Sequence, residues 1–357
     1  MKTWDVIVIG GGIVGLSLAL ELRKRGASVL VAERGECGRE ASHAAGGMLA
    51  DCGIEIPAGL QTLATSSARM YPDFVRDLEL DSDMKVDLRD YGSILFLGLE
   101  HEELETAFAL AHPLPSPLAE VEPALAPPDR AACYLRERSV DPRALTLAVL
   151  AAARRQGVDI SSGEDVTAVN MCDGGVSGVT TRKTSFFAPK VVNCAGAWSG
   201  QIAPLAFPTR PVKGQMLCLL SPRRELLKHV IRTPEVYLIP RSDGRIVVGS
   251  TLEEAGFDKR TDVSTIQRLR QAAIALVPEL QNAKILEDWA GLRPGTPDSL
   301  LVLGATSVLG YYVATGHFRD GILLAPITAK VMADVVQAKN PEYDIAAFSP
   351  QRFLLAA

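Results

Sequence analysis

The chain has 357 residues, is 47% hydrophobic and 22% charged, and carries a net charge of −5 with a pI near 5.7. That length suggests about two domains, and the acidic balance excludes a nucleic-acid footprint. No apolar run reaches the length of a membrane span, and the N-terminus enters a strand pattern with no room for a signal peptide, so a cytoplasmic location is expected.

The first unit covers residues 5–33, DVIVIGGGIVGLSLALELRKRGASVLVAE. The β-branched run at 6–9 predicts a strand, and the Ala/Leu-rich stretch at 13–25 predicts a helix ended by Gly26. Between them Gly10, Gly12 and Gly15 keep G-x-G-x-x-G spacing. Gly10 allows a tight turn, Gly12 a close backbone approach to a pyrophosphate, and Gly15 close packing of the helix on the sheet. A second strand, expected at 28–32, ends at Glu33, whose carboxylate suits a ribose 2′-hydroxyl. An acid there disfavours NADP, while the stretch alone leaves NAD and FAD both open.

Residues 39–51, REASHAAGGMLAD, are rich in small side chains. They fit either a loop with Ser42 as a helix cap or a backbone lying close to a flat ligand. A helix is expected over 58–80, with Leu60, Leu63, Met70, Phe74 and Leu78 on one face, followed by a strand pair or hairpin over 87–99 and a short helix over 102–110. Pro113, Pro115, Pro117, Pro123, Pro127 and Pro128 predict an extended connection without regular structure. Asp141 and Pro142 then open a helix that Gly157 ends. Short strands are expected at 158–160 and 166–169. The strand at 190–198 runs into Ala195-Gly196, a small-residue turn of the kind that borders ligands in open α/β sheets.

Residues 211–251 are strand-rich, with Asp243-Gly244 as a hairpin turn, and 262–276 is an amphipathic helix with Ser264 as its expected cap. Arg293, between Gly291 and Pro294-Gly295, is read as held on a turn. The competing reading is a surface arginine paired with Glu287 or Asp288. Strands are expected at 300–303 and 311–314. After Gly316 come His317, Arg319 and Asp320, then an apolar helix from Gly321, whose N-terminus favours negative charge in the preceding loop. A solvated loop is the bland alternative for His317 and Arg319. Six scattered cysteines, Cys37, Cys52, Cys133, Cys172, Cys194 and Cys218, form no C-x-x-C and no zinc spacing, so free thiols and no metal site are expected.

Four segments together resemble the D-amino-acid oxidase group of FAD enzymes: VIVIGGGIVGLSLALEL, ASHAAGGMLAD, AGLRPGTPD and ATGHFRDGILLAPITA, with VDPRAL and VYLIPRSDGRIVVGST in agreement. Within the group the chain looks most like the glycine oxidases of thiamine-thiazole biosynthesis. The resemblance implies a Rossmann-like, discontinuous α/β FAD-binding domain (1–80, 140–210 and 286–357) and an α+β substrate domain with an antiparallel sheet (81–139 and 211–285). It implies that FAD is held non-covalently: Gly10, Gly12, Ile13, Val14 and Gly15 at the pyrophosphate, Glu33 and Arg34 at the adenosine, and Val166 at the adenine. Ser42, Ala45, Gly46, Gly47 and Met48 would line the flavin, and Ala195, Gly196 and His317 would also bind the cofactor. Arg319, Asp320, Gly321, Ile322 and Leu323 would hold its pyrimidine end. Arg293 would pair with the substrate carboxylate, Tyr237 would hydrogen-bond to it, and Arg319 would stand at the active site. Asp320 replaces the Asn usual in the group, and residues 299–303, SLLVL, lack its usual Pro.

The expected activity is oxidative deamination of glycine or another small amino acid (sarcosine, D-amino acids), with O2 reduced to H2O2. A D-amino-acid or proline-type dehydrogenase passing electrons to a quinone or protein is the first alternative, and a non-catalytic flavoprotein subunit the second. Sarcosine oxidases attach flavin through a C-terminal Cys, and this chain has none after Cys218. The expected partners are the amino acid, O2 or another acceptor and, in a homo-oligomer, further copies of the chain.

Overall fold

The computed structural model describes residues 2–52, 56–97, 112–126 and 128–353. The helix expected over 102–110 lies outside them. Among these residues the first of two large sheets has six strands, in the order Val302–Ala305, Tyr311–Thr315, Val191–Asn193, Val6–Ile9, Val29–Glu33 and Asp159–Ser162. All neighbours are parallel except the first pair. The strand Val6–Ile9 is buried on both faces, which is why it reads as a continuous apolar run. Val6 and Val8 join the core under the helices Ile13–Lys24, Gln61–Ser82, Pro142–Arg155 and Gly321–Val336. Ile7 and Ile9 join a second core against the three-stranded sheet of Val166–Cys172, Gly175–Thr181 and Ser185–Phe187.

The second large sheet has seven strands, in the order Lys284–Gly295, Arg210–Leu220, Arg245–Gly249, Tyr237–Pro240, Val230–Arg232, Ser93–Phe96 and Ala132–Leu135. The helix Val263–Leu276 covers one face through Ile266, Leu269, Ala273 and Leu276. The strand Lys284–Gly295 of this sheet runs across position 286, where the sequence suggests a domain boundary.

The expected helix at 58–80 is a 3₁₀ turn, Ala58–Leu60, followed by an α-helix, Gln61–Ser82. The hairpin expected over 87–99 does not form: Leu88–Arg89 pairs with Arg138–Val140 in a small sheet, while Ser93–Phe96 joins the seven-stranded sheet. Both strands form within the expected stretch, but their partners are remote in sequence. Within the proline-rich connection, Leu118–Val121 forms a helical turn begun after Pro117, because proline suits a helix start. The helix at 263 is capped by Asp262, which accepts from Thr265 N at 2.8 Å, and not by Ser264. Asp141 caps the helix Pro142–Arg155 as expected, accepting from Arg143 N at 2.9 Å. Among the described residues no helix is long and apolar enough to cross a membrane.

Candidate active site

A cavity of about 870 Å³ opens between the ends of the two large sheets. One end is built at the carboxyl ends of Val6–Ile9 and Val29–Glu33. Gly10 has φ 101°, and a Cβ there would lie 2.6 Å from Cys194 O, so only glycine fits the turn. The first helix starts from Gly12, has no acidic side chain in its first turn, and receives a distant cap: Ser42 Oγ accepts from Ile13 N at 2.9 Å. Ser42 therefore does not cap its own short helix, Ala41–Ala44, whose cap residue is Glu40. Glu33 holds the turn with both oxygens, accepting from Gly11 N at 2.7 Å and from Gly35 N at 2.8 Å. Arg34 stacks on Trp198 with its guanidinium carbon 4.1 Å from the ring centroid.

The middle of the cavity is lined by Ala45, Gly46, Gly47, Met48, Ala195 and Gly196. Gly46 packs under the seven-stranded sheet, where a Cβ would stand 2.7 Å from Ile239 Cδ1. Gly47 has φ 79° and approaches Val140 O, where a Cβ would stand 2.0 Å away. The small residues at 39–51 thus serve chain-to-chain packing as well as the cavity wall.

The helix Gly321–Val336 points its N-terminus into the same cavity. Pro326 has no N–H to give Ile322 O, and the buried Tyr71 hydroxyl donates to that carbonyl instead. Ser67 Oγ donates to Leu323 O at 2.6 Å. His317 is buried, with Nε2 3.1 Å from Thr328 Oγ1, and burial pushes its pKa down to about 4. It is a neutral part of the wall, not a solvated loop residue. Asp320 precedes the helix, and its side chain makes no capping hydrogen bond.

At the other end stand Tyr237, Arg293 and Arg319. Arg293 is on the strand Lys284–Gly295, not on a turn: Gly291 and Gly295 admit close neighbours, with a Cβ at Gly291 standing 2.3 Å from Ala44 Cβ. Its Nη2 donates to Ser250 Oγ at 2.8 Å and its Nη1 to Thr251 O at 3.1 Å. Burial lowers its pKa and nearby Arg319 acts in the same direction, while Tyr237 opposes them. A guanidinium nevertheless stays protonated. Glu287 pairs with Arg143, and Asp288 accepts from Thr261 Oγ1, so neither acid neutralises Arg293. Tyr237 Oη lies 3.7 Å from Met216 Sδ.

Nearly every expected site residue lines this one cavity: Gly10, Gly12, Ile13, Val14, Glu33, Arg34, Ser42, Val166, His317, Asp320, Gly321 and Ile322 as well as those already placed. Gly15 and Leu323 do not. A Cβ at Gly15 would stand 2.1 Å from Gly10 O, and Leu323 is buried in the core below the helix.

The model of the family described as "FAD dependent oxidoreductase" matches residues 5–335. The chain belongs to the FAD dependent oxidoreductase family. Glycine oxidase of Pseudomonas putida is 32% identical over 97% of this chain and 98% of its own length. The bifunctional protein ThiO/ThiG of Trichormus variabilis is 35% identical over 98% of this chain, which spans only 55% of that longer protein. The crystal structure of glycine oxidase from Geobacillus kaustophilus superposes with a TM-score of 0.92 at 29% identity, covering 99% of both chains.

FAD is the cofactor of this oxidoreductase, and the residues present fit it. A helix N-terminus without acidic side chains lies beside Gly12, where the backbone can approach a pyrophosphate. A second helix N-terminus lies at the opposite wall. Sequence reasoning missed Trp198, Gly214, Ser250 and Thr251. Gly214 and the Gly-Ser-Thr at the end of the strand Arg245–Gly249 were the available signals, since glycine within a strand marks a close approach.

Proposed function

We propose that this FAD dependent oxidoreductase oxidatively deaminates glycine or another small amino acid, sarcosine and D-amino acids included, with O2 reduced to H2O2. The observation that carries this is Arg293: a largely buried guanidinium facing the cavity, which donates to the neutral Ser250 hydroxyl and Thr251 carbonyl and forms no direct ion pair among the described residues. Its charge stays available for a substrate carboxylate, which a guanidinium binds with two N–H groups. Tyr237 lies beside it to add a hydroxyl donor, and Arg319 strengthens the positive potential.

FAD, when bound, supplies the acceptor for the two electrons leaving the α-carbon of the neutral amine. The protein's part is positioning: a clamp at one end of the substrate and shared walls that exclude water. The amine becomes an imine, which water converts to the 2-oxo acid and ammonia, or methylamine in the case of sarcosine. The names of the glycine oxidase and ThiO/ThiG relatives support glycine as substrate and supply of the thiamine thiazole as the pathway served. On this reading Arg293, Tyr237 and Arg319 are the catalytic residues and the other lining residues hold FAD. The six-stranded sheet, with the helices and small sheet packed on it, is the FAD-binding domain, the seven-stranded sheet the substrate domain, and the enzyme is cytoplasmic.

The test is to mix the yellow protein with glycine, sarcosine, D-alanine and D-proline while following flavin bleaching and peroxide. Bleaching with stoichiometric peroxide is expected. Bleaching without peroxide would make it a dehydrogenase, and no bleaching with any of them would refute the proposal.

A further inference from the structure

The cation that clamps the substrate is itself held by a partly buried relay, and this inference rests on the Arg293 reading above. Arg293 stands opposite Val212 in the neighbouring strand Arg210–Leu220. Its side chain crosses that strand at Gly214, where a Cβ would lie 2.2 Å from Nη1 and 2.4 Å from Nη2. It thereby reaches Ser250 and Thr251 on the far flank of the same strand.

Residues 250–253 continue past the end of Arg245–Gly249 and remain joined to the strand that Arg293 crosses. Lys213 N donates to Glu253 O and Glu253 N to Lys213 O, both at 2.9 Å, and Thr251 N donates to Gln215 O at 3.3 Å. The side chains complete a network. Thr251 Oγ1 accepts from Gln215 N at 2.9 Å and donates to the Glu253 carboxylate. Gln215 Nε2 donates to Glu253 Oε1 at 2.8 Å, and Lys213 Nζ lies 3.8 Å from Glu253 Oε2. Lys213 and Gln215 are buried. Burial raises the pKa of Glu253, but the Thr251 and Gln215 hydrogen bonds, with the charges of Lys213 and Arg268, outweigh it and leave the pKa lowered.

A carboxylate bonded directly to Arg293 would fix the guanidinium but neutralise the charge the substrate needs. Here the carboxylate is one residue removed. It bonds to Thr251, and the Thr251 carbonyl bonds to Arg293. We infer that Glu253 is a positioning residue for substrate-carboxylate binding, acting through Thr251 to fix the orientation of the Arg293 guanidinium without a direct ion pair to it.

The test titrates the FAD-loaded protein with acetate, a carboxylate that cannot be oxidised as an amine, and reads the change in flavin absorbance. Glu253→Ala should weaken acetate by roughly tenfold, the factor given by about 1.4 kcal/mol, and raise KM for glycine more than it lowers kcat, at unchanged flavin content. Glu253→Gln keeps an oxygen that accepts from Thr251 and should recover most of the loss. Thr251→Val breaks the same relay from the other side and should match Glu253→Ala, so the inference stays testable if one variant fails to fold. Wild-type acetate affinity in Glu253→Ala or Thr251→Val overturns the inference, as does equal impairment in Glu253→Gln. A wild-type protein whose flavin does not respond to acetate overturns the Arg293 reading itself.

Discussion

The Tyr71 hydroxyl donates to the Ile322 carbonyl, an acceptor to which Pro326 can offer no intrahelical donor. The bond ties the long helix Gln61–Ser82 to the first turn of the helix that faces the cofactor cavity. Burial raises the Tyr71 pKa, so the phenol remains a donor at any working pH.

Tyr71→Phe keeps the ring and leaves the Ile322 carbonyl buried without its partner. The expected loss is about 1–3 kcal/mol of stability, read from urea unfolding of the FAD-loaded protein. An unchanged midpoint would show that water or a helix shift replaces the bond.

Glu33 receives two backbone N–H groups, so it shapes this turn in addition to the ribose contact proposed for it. Glu33→Gln places an amide nitrogen where one of those N–H groups now donates. FAD binding should weaken by about 1–2 kcal/mol, the scale of a charge-assisted hydrogen bond. Equilibrium dialysis of FAD against the variant measures this, and wild-type affinity would remove Glu33 from the binding account.

Burial holds His317 neutral, with its pKa down at about 4 against an ordinary 6.5. Between those two pH values the unfolded chain takes up a proton that the folded protein refuses. The stability this histidine contributes is therefore present above pH 6.5 and is lost as the pH falls toward 4, a change of order 3 kcal/mol. Stability curves for the wild type and His317→Gln, measured across that window, should converge at low pH. Parallel curves would mean that another group carries the acid sensitivity. Asp51 is pushed up to about 6 by burial and by Glu137, and so titrates with the opposite sign. The comparison between the two proteins cancels its effect.

The nucleotide-binding end was legible because its requirements are local. Gly10, Gly12 and Glu33 sit within one strand-turn-helix-strand unit and Glu33 accepts from Gly11 inside it, although the atoms that crowd Gly10 and Gly12 belong to Cys194 and Ser42. The substrate end was less so. Arg293 could be named from the resemblance, yet Pro294-Gly295 suggested a turn where the chain runs on as a strand. The groups that hold Arg293 come from Ser250 and Thr251, more than 40 positions away in the chain. Leu88 and Ser93 show the same limit, since a strand-like stretch does not name its partner.

The central claim is that the Arg293 cation binds the carboxylate of an amino-acid substrate, and kcat/KM of Arg293→Ala tests it most directly. Glycine oxidation should lose about 2–4 kcal/mol in kcat/KM, as expected when a charged partner leaves a desolvated pair. Flavin content should stay at the wild-type level. Arg293→Lys should recover only part, because an ammonium lacks the planar two-point contact. Amines without a carboxylate should lose far less. Equal losses for glycine and for such amines would contradict the account and make Arg293 a structural residue.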